Sequence, residues 1–255
     1  MDRYCFDVMA ADTDYSDRLH MHSLFAMIQE AAARNAEEHG WGATLMDQKG
    51  AAWVILRMSL RMKRRPVLGE SVLIETWSRG FRRLYFMRDF LIFDEKNEII
   101  GRATSLWLAV NKDSRRPLRP DYFGDISSAC SVDKAVLFEM PPELDPIENR
   151  LTTDDSELHR ITKYADFSEI DRNMHVNNTR YIAWSMDAAN YIELVKYDIL
   201  SVDINYLCEI RHKEKVDIVF STEGTDIWVN GIVTHTGKLA FCCRLGSDGD
   251  VGGNQ

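Results

Sequence analysis

Apolar and polar positions recur along this chain in two different periods, and the switch between them predicts its elements. Leu24, Met27, Ile28 and Ala31 fall three or four apart, the spacing of one helical face. They predict a helix over 22–39, closed by Gly40, a residue suited to the turn that ends a helix. A second helix is predicted over 178–194, through Tyr181, Ile182, Trp184 and Ser185, with Asn178 and Thr179 placed to cap its first turn. After each helix the chain turns extended. Runs rich in Val, Ile, Phe, Trp and Thr at 51–63, 70–79, 82–94 and 98–110 follow the first helix. Runs at 200–210, 214–223, 226–235 and 238–245 follow the second, and several runs alternate apolar with polar. Pro66-Val67-Leu68-Gly69 and Asp94-Glu95-Lys96-Asn97 punctuate the first set as turns. Strands joined this closely must be antiparallel neighbours.

Residues 111–150 hold five of the six prolines and show little periodicity, which predicts a connecting segment. The chain on either side of it repeats. A shift of 144 residues lays Val72, Ile74 and Thr76 on Val216, Ile218 and Phe220, with Glu70 on Glu214. A shift of 157 lays Ala31-Ala32 on Ala188-Ala189 and Asp14 on Asp171. The element order is the same in both halves, so the expected fold is α+β: a duplicated unit in which a long helix is wrapped by an antiparallel sheet.

Composition narrows the class. With 255 residues, 45% hydrophobic and 28% charged, the chain can bury a core without disulfides or a structural metal. No run approaches the roughly 20 apolar residues of a membrane helix, and no secretory pattern follows the charged start, so no membrane association is expected. The five cysteines are scattered and form no C-x-x-C pair, which predicts neither disulfides nor zinc and fits a cytoplasmic protein. The net charge of −9 argues against nucleic-acid binding. It is uneven: residues 1–125 are close to neutral at +1, and the rest carries −10. Basic residues gather at Arg57, Arg61, Lys63, Arg64 and Arg65, at Arg79, Arg82, Arg83 and Arg88, and at Arg115, Arg116 and Arg119. They read either as solvated surface or as docking sites for an acidic partner. No phosphate-cradling G-x-x-x-x-G-K-[ST] or G-x-G-x-x-G occurs, so no cofactor is expected.

The densest polar cluster is Asp171-Arg172-Asn173-Met174-His175-Val176-Asn177-Asn178, directly before the second helix. Alternation puts Asp171, Asn173 and His175 on one face of an extended stretch. A helix N-terminus beside them offers free amides that can hold an oxyanion. A carboxylate, an amide and an imidazole there are the parts needed to hydrolyse an acyl group; a capped polar turn needs the same residue types. Glu209 lies between apolar residues of the run 200–210, where a carboxylate needs a partner, and a histidine would serve. Cys208 is expected on the opposite face from Glu209, which makes it a small hydrophobe rather than a nucleophile.

The stretch from Asp171 to Asn178, followed by Tyr181 and Trp184, resembles the D-x-N-x-H-V-N-N-x-x-Y-x-x-W signature of the acyl-[acyl-carrier-protein] thioesterases of plant plastids and bacteria. Arg64-Arg65-Pro66, Gly69-Glu70 and Thr76-Trp77 resemble a second segment of that family, and Ala103-Thr104-Ser105-Leu106-Trp107 a third. The resemblance implies a double hotdog: an N-terminal unit (1–125) that binds the acyl chain, a linker (126–150), a catalytic C-terminal unit (151–246) and a flexible tail (247–255). It implies a network of Asp171, Asn173, His175 and Glu209, with Glu209 three residues after Tyr206. The family's cysteine after that glutamate is replaced by Ile210, which favours carboxylate–histidine chemistry. The first unit keeps Asp14 but not the Asn and His at the matched spacing, so one active site per chain is expected.

The implied activity is hydrolysis of acyl-carrier thioesters, which releases fatty acid and ends chain elongation. Attack by a water and attack by Asp171 both fit the residues, with Asn173 orienting His175. The implied partners are a fatty acyl chain and an acidic acyl carrier protein, the latter met by basic residues such as Arg61, Lys63, Arg64 and Arg65. An acyl-CoA thioesterase and a non-catalytic acyl-binding protein are the alternatives. The chain length accepted is open, and so is the choice between monomer and homodimer.

Overall fold

The computed structural model describes residues 2–124, 135–147, 158–191 and 198–248. Two compact units emerge, Met1–Pro142 and Glu143–Gly249. In unit 1, strand β1 (Asp2–Asp7) precedes helix α1 (Met21–Glu38) and the short helix α2 (Ala43–Gln48). Strands β2 (Ala51–Met62), β3 (Ser71–Arg82), β4 (Tyr85–Phe93) and β5 (Ile99–Asn111) follow. In unit 2, strand β6 (His159–Tyr164) precedes helix α3 (Asn178–Tyr191) and strands β7 (Ser201–Tyr206), β8 (Lys215–Glu223), β9 (Asp226–Val233) and β10 (Lys238–Gly246). The sheet of unit 1 runs β1-β3-β4-β5-β2 and that of unit 2 runs β6-β8-β9-β10-β7, the same order with each strand in its counterpart's place. The strand pairs within each unit are antiparallel.

Each helix lies on its own sheet. Leu24, Phe25, Ile28 and Ala31 of α1 are fully buried, and α1 packs on β3 and β1. Removing a Leu, Phe or Ile side chain from water contributes about 2 kcal/mol, so this stripe rather than helix propensity fixes α1 to the sheet. In unit 2, Tyr181, Ile182, Trp184, Ala188 and Ala189 form the matching stripe of α3, against β8, β9 and β10. The pairing is close enough that Gly231 of β9 lies beneath the Phe241 ring of β10, where a methyl carbon would stand 2.0 Å from that ring.

The duplication holds residue by residue. Asp7 pairs with Ser71 in unit 1, and Tyr164 pairs with Lys215 in unit 2. These pairs are related by the two shifts seen in the sequence. Val8 donates to the Glu70 carbonyl as Ala165 donates to that of Glu214, each at a distance near 3 Å (2.9 and 3.0). Gly69 and Lys213 both take left-handed backbone, φ +82° and +69°. Glycine does so freely and lysine at a cost, so unit 2 keeps the same turn against a backbone penalty.

The structure departs from the pattern-based reading in four places. The runs 51–63 and 70–79, expected to be antiparallel neighbours across the Pro66–Gly69 turn, are not paired: β2 lies beside β5, and β3 between β1 and β4. Strands β1 and β6 and helix α2 lay outside the predicted runs. The run 200–210 breaks at Tyr206, because Leu207 and Cys208 both turn their amides onto the Ala240 carbonyl. Glu209 is therefore not on a strand. The expected linker is in part fastened to unit 1: Val136 donates to the Asp89 carboxylate, and Arg79 donates to the carbonyls of Phe138 and Glu139. Residues 125–134 and 148–157 of the linker region, and most of the expected tail, lie outside the described residues. Among the described residues no helix is long and apolar enough to cross a membrane.

Candidate active site

The polar cluster of unit 2 folds into a tight loop. Ile170 bridges Val176, the Asp171 amide donates to the His175 carbonyl at 2.8 Å, and the Met174 amide donates back to Asp171 at 3.0 Å. Met174 turns the chain with φ +65°. The Asp171 carboxylate braces the loop from within. Its Oδ1 accepts from the amides of Asn173 (2.7 Å) and His175 (3.3 Å), and its Oδ2 accepts from the Asn173 side-chain amide (3.3 Å).

A second strip of chain is stitched to this loop. His175 bridges Arg211, and the Val176 amide donates to the Ile210 carbonyl at 2.8 Å. That seam brings Glu209, just upstream, to the imidazole: His175 Nε2 and Glu209 Oε2 are 3.2 Å apart, with both side chains still in reach of solvent. The four expected residues thus form two pairs, Asp171 with Asn173 and His175 with Glu209. The Asn173 side chain meets Asp171, not His175, so any influence it has on the imidazole passes through the loop.

The helix N-terminus beside the loop is capped one residue earlier than expected. Asn177 Oδ1 accepts from the Thr179 amide (2.9 Å) and hydroxyl (2.8 Å), and the Asn177 carbonyl accepts the Arg180 amide. The amides of Val176, Asn177, Thr179 and Arg180 are all engaged. Among the described residues, the Asn178 amide takes no partner, and neither does its buried Oδ1. A free amide in the first turn of a helix is the kind of donor that can hold an oxyanion.

Pattern reading missed the scaffold of the site. Trp184 Nε1 donates to Glu169 Oε1 at 2.8 Å, Arg180 faces the same carboxylate at 3.6 Å, and the Glu169 carbonyl accepts the Asn177 amide. On the other flank Tyr181, whose hydroxyl burial pushes up in pKa, meets the Ile210 backbone amide. The tyrosine and tryptophan of the signature therefore pin the two sides of the loop. The D-x-x-E spacing of Asp166 and Glu169, a capping box, was the available signal. Ile210, where the family has cysteine, is fully buried, and the Cys208 thiol donates to the carbonyl of Glu209.

Unit 1 holds the same loop with other side chains. Thr13 bridges Leu19, Arg18 bridges Val67, and Asp14 Oδ1 accepts from the amides of Ser16 (2.8 Å) and Arg18 (3.3 Å). Ser16 stands at the Asn173 position, Arg18 at that of His175 and Arg65 at that of Glu209. Arg65 is buried and pairs with Asp14 at 2.8 Å. Burial would raise the Asp14 pKa; the Ser16 hydrogen bonds and the Arg65 guanidinium outweigh it and hold the carboxyl at about 2.

Two family models match the chain: the acyl-ACP thioesterase N-terminal domain over residues 3–122 and the acyl-ACP thioesterase C-terminal domain over residues 152–249. The chain belongs to the acyl-ACP thioesterase family. An oleoyl-acyl carrier protein thioesterase of Coriandrum sativum is 28% identical over 243 residues, covering 87% of this chain and 63% of that protein. A palmitoyl-acyl carrier protein thioesterase of Gossypium hirsutum is 28% identical over 212 residues, covering 79% and 50%. The chain thus spans between half and two thirds of these relatives. Among solved structures, an acyl-ACP thioesterase from Bacteroides thetaiotaomicron superposes with a TM-score of 0.83 at 24% identity, covering 96% of each chain. The 12:0-ACP thioesterase from Umbellularia californica superposes at 0.80 and 22% identity, also covering 96% of each. The fold of the family is the hotdog unit in tandem, as the sequence resemblance implied.

The basic run proposed for the carrier protein is largely engaged within unit 1. Arg61 is buried, donates to the Leu60 carbonyl and lies over the Phe138 ring. Arg64 binds Glu70 and Asp94, and Arg65 binds Asp14. Lys63 is the exposed cation of that run.

Proposed function

We propose that this chain hydrolyses acyl-[acyl-carrier-protein] thioesters, releasing fatty acid and ending chain elongation, with one active site per chain in unit 2. The observation that carries this reading is the His175–Glu209 pair at 3.2 Å in the loop that leads into α3, whose first amide, that of Asn178, takes no partner among the described residues. The pair takes the proton of a water as it attacks the thioester carbonyl. The Asn178 amide holds the oxyanion of the tetrahedral intermediate. The intermediate collapses by breaking its C–S bond, and the imidazolium returns the proton to the departing thiolate. Asp171 keeps the loop in shape, and its hydrogen bonds to the Asn173 and His175 amides support attack by water rather than by this carboxylate. The acyl chain is assigned to unit 1 by resemblance to the family. A carrier protein is the partner.

The test is thiol release from acyl-carrier thioesters of graded length, beside the matching CoA thioesters, with His175→Ala and Glu209→Gln as controls. Release from the carrier substrates that falls about 100-fold or more in both variants is the expected result. Release from CoA thioesters alone makes the chain an acyl-CoA thioesterase. Fatty-acid binding with no release from either makes it a binding protein.

A further inference from the structure

We propose that the carrier docks on one end of the unit 1 sheet, at the β3–β4 turn and the turn after β5, and not on the run Arg61–Arg65. This rests on the carrier-thioester reading above and adds where the partner binds.

The two turns share one end of the sheet. Tyr85 of β4 stands opposite Arg82 of β3 and opposite Leu108 of β5. Arg82 closes that row, Arg83 follows in the β3–β4 turn, and β5 runs three more residues to Asn111. Its turn is held there by Asn111 donating to the Arg116 carbonyl, Arg115 to that of Asn111 and Leu118 to that of Ala109. Neighbouring strands are ~4.8 Å apart and three residues rise ~10 Å, so the two turns lie within reach of one partner.

Arg82, Arg83, Lys112, Arg115, Arg116 and Arg119 are all exposed here. The carboxylates among them are fewer. Asp47 takes Lys112, Asp121 stands 3.9 Å from Arg119 with both side chains at least three-quarters exposed, and Asp113 is exposed. Phe81, Tyr85 and Tyr122 add exposed rings (44%, 40% and 45%) that give a partner apolar contact between the charges. At the other end of the sheet Arg3, Arg64 and Arg65 are bound to carboxylates of the same unit, which leaves Lys63 and Lys96 as two scattered exposed cations there.

Charge complementarity selects the occupant. The chain carries −9 and repels an acidic protein at long range. A local basic surface that reverses the field is the means by which such a partner binds and is oriented.

The experiment compares an acyl-carrier thioester with the N-acetylcysteamine thioester of the same acyl chain, which lacks the carrier. Arg82→Glu/Arg83→Glu and Arg115→Glu/Arg116→Glu are each expected to raise KM for the carrier substrate about tenfold, leaving kcat and the carrier-free reaction unchanged. Lys63→Glu is expected to change neither. Anisotropy of labelled carrier gives the same ranking without turnover. If the wild type hydrolyses neither thioester, the activity reading fails, and binding still decides the surface. Unchanged carrier affinity in both double variants overturns the proposal, as does an equal effect of Lys63→Glu. Loss of binding to phosphatidylglycerol vesicles with carrier affinity intact also overturns it, and assigns the patch to a lipid surface.

Discussion

Asp14 and Asp171, 157 positions apart, brace the same loop in the same way: each Oδ1 accepts the amides two and four residues ahead. The copy in unit 1 does this beside Arg18 and Arg65, where no water-activating pair stands. The brace is therefore a property of the loop, present with or without the chemistry.

Asp171→Asn keeps an oxygen for the two amides and removes the charge; Asp171→Ala removes both. If bracing is the role, the asparagine variant retains activity within about tenfold of wild type and the alanine variant loses about 100-fold or more. Steady-state kinetics of the two decides it. Equal, near-complete losses would mean that the carboxylate itself attacks or titrates.

The cysteines stand outside the reaction in this scheme. Cys208→Ser, and alkylation of the wild type with iodoacetamide, are each expected to leave kcat/KM within about twofold. Inactivation that Cys208→Ser prevents would restore a thiol mechanism.

Asp14 ties stability to acid. Its folded pKa of about 2 lies below the unfolded value, so its contribution is full above pH ~4 and fades as pH falls toward 2. That shift corresponds to about 2 kcal/mol. Urea titration of Asp14→Asn is expected to show a deficit of that order at pH 7, closing in acid. A constant deficit across pH would refute the ionic account.

Arg79 and Asp89 form an ion pair at 2.9 Å with side chains 5% and 0% exposed, and Asp89 also accepts Thr104 Oγ1. Burial pushes the Asp89 pKa up despite the guanidinium. Removing one partner strands a buried charge, so Arg79→Met is expected to cost about 3–5 kcal/mol. The double variant Arg79→Met/Asp89→Leu is expected to recover much of it, read as Tm against the single variant.

The β4–β5 pairing was legible because Asp94–Asn97 marks a tight turn, and the two shifts align the halves; Pro66–Gly69 marks a turn too, yet the strands it joins, β2 and β3, are held apart by β4 and β5. Less legible was anything decided by tertiary hydrogen bonds. The apolar run through Tyr206 looks continuous, yet the Ala240 carbonyl draws two amides and ends β7. Asn177 and Asn178 are alike in sequence, and only the bonds to Thr179 show which one caps the helix. The arginines could be counted, but their value as a surface depended on which carboxylates fold beside them. Arg64 is claimed by Glu70, whereas Arg82 and Arg83 are left at a turn.

The repeated loop separates two kinds of inheritance. Its backbone bonds recur in both units while the side chains diverge, so on the proposed reading stability selects on two copies and turnover on one. Across relatives, Asp14 is then expected to vary as slowly as Asp171, while Ser16 and Arg18 drift faster than Asn173 and His175.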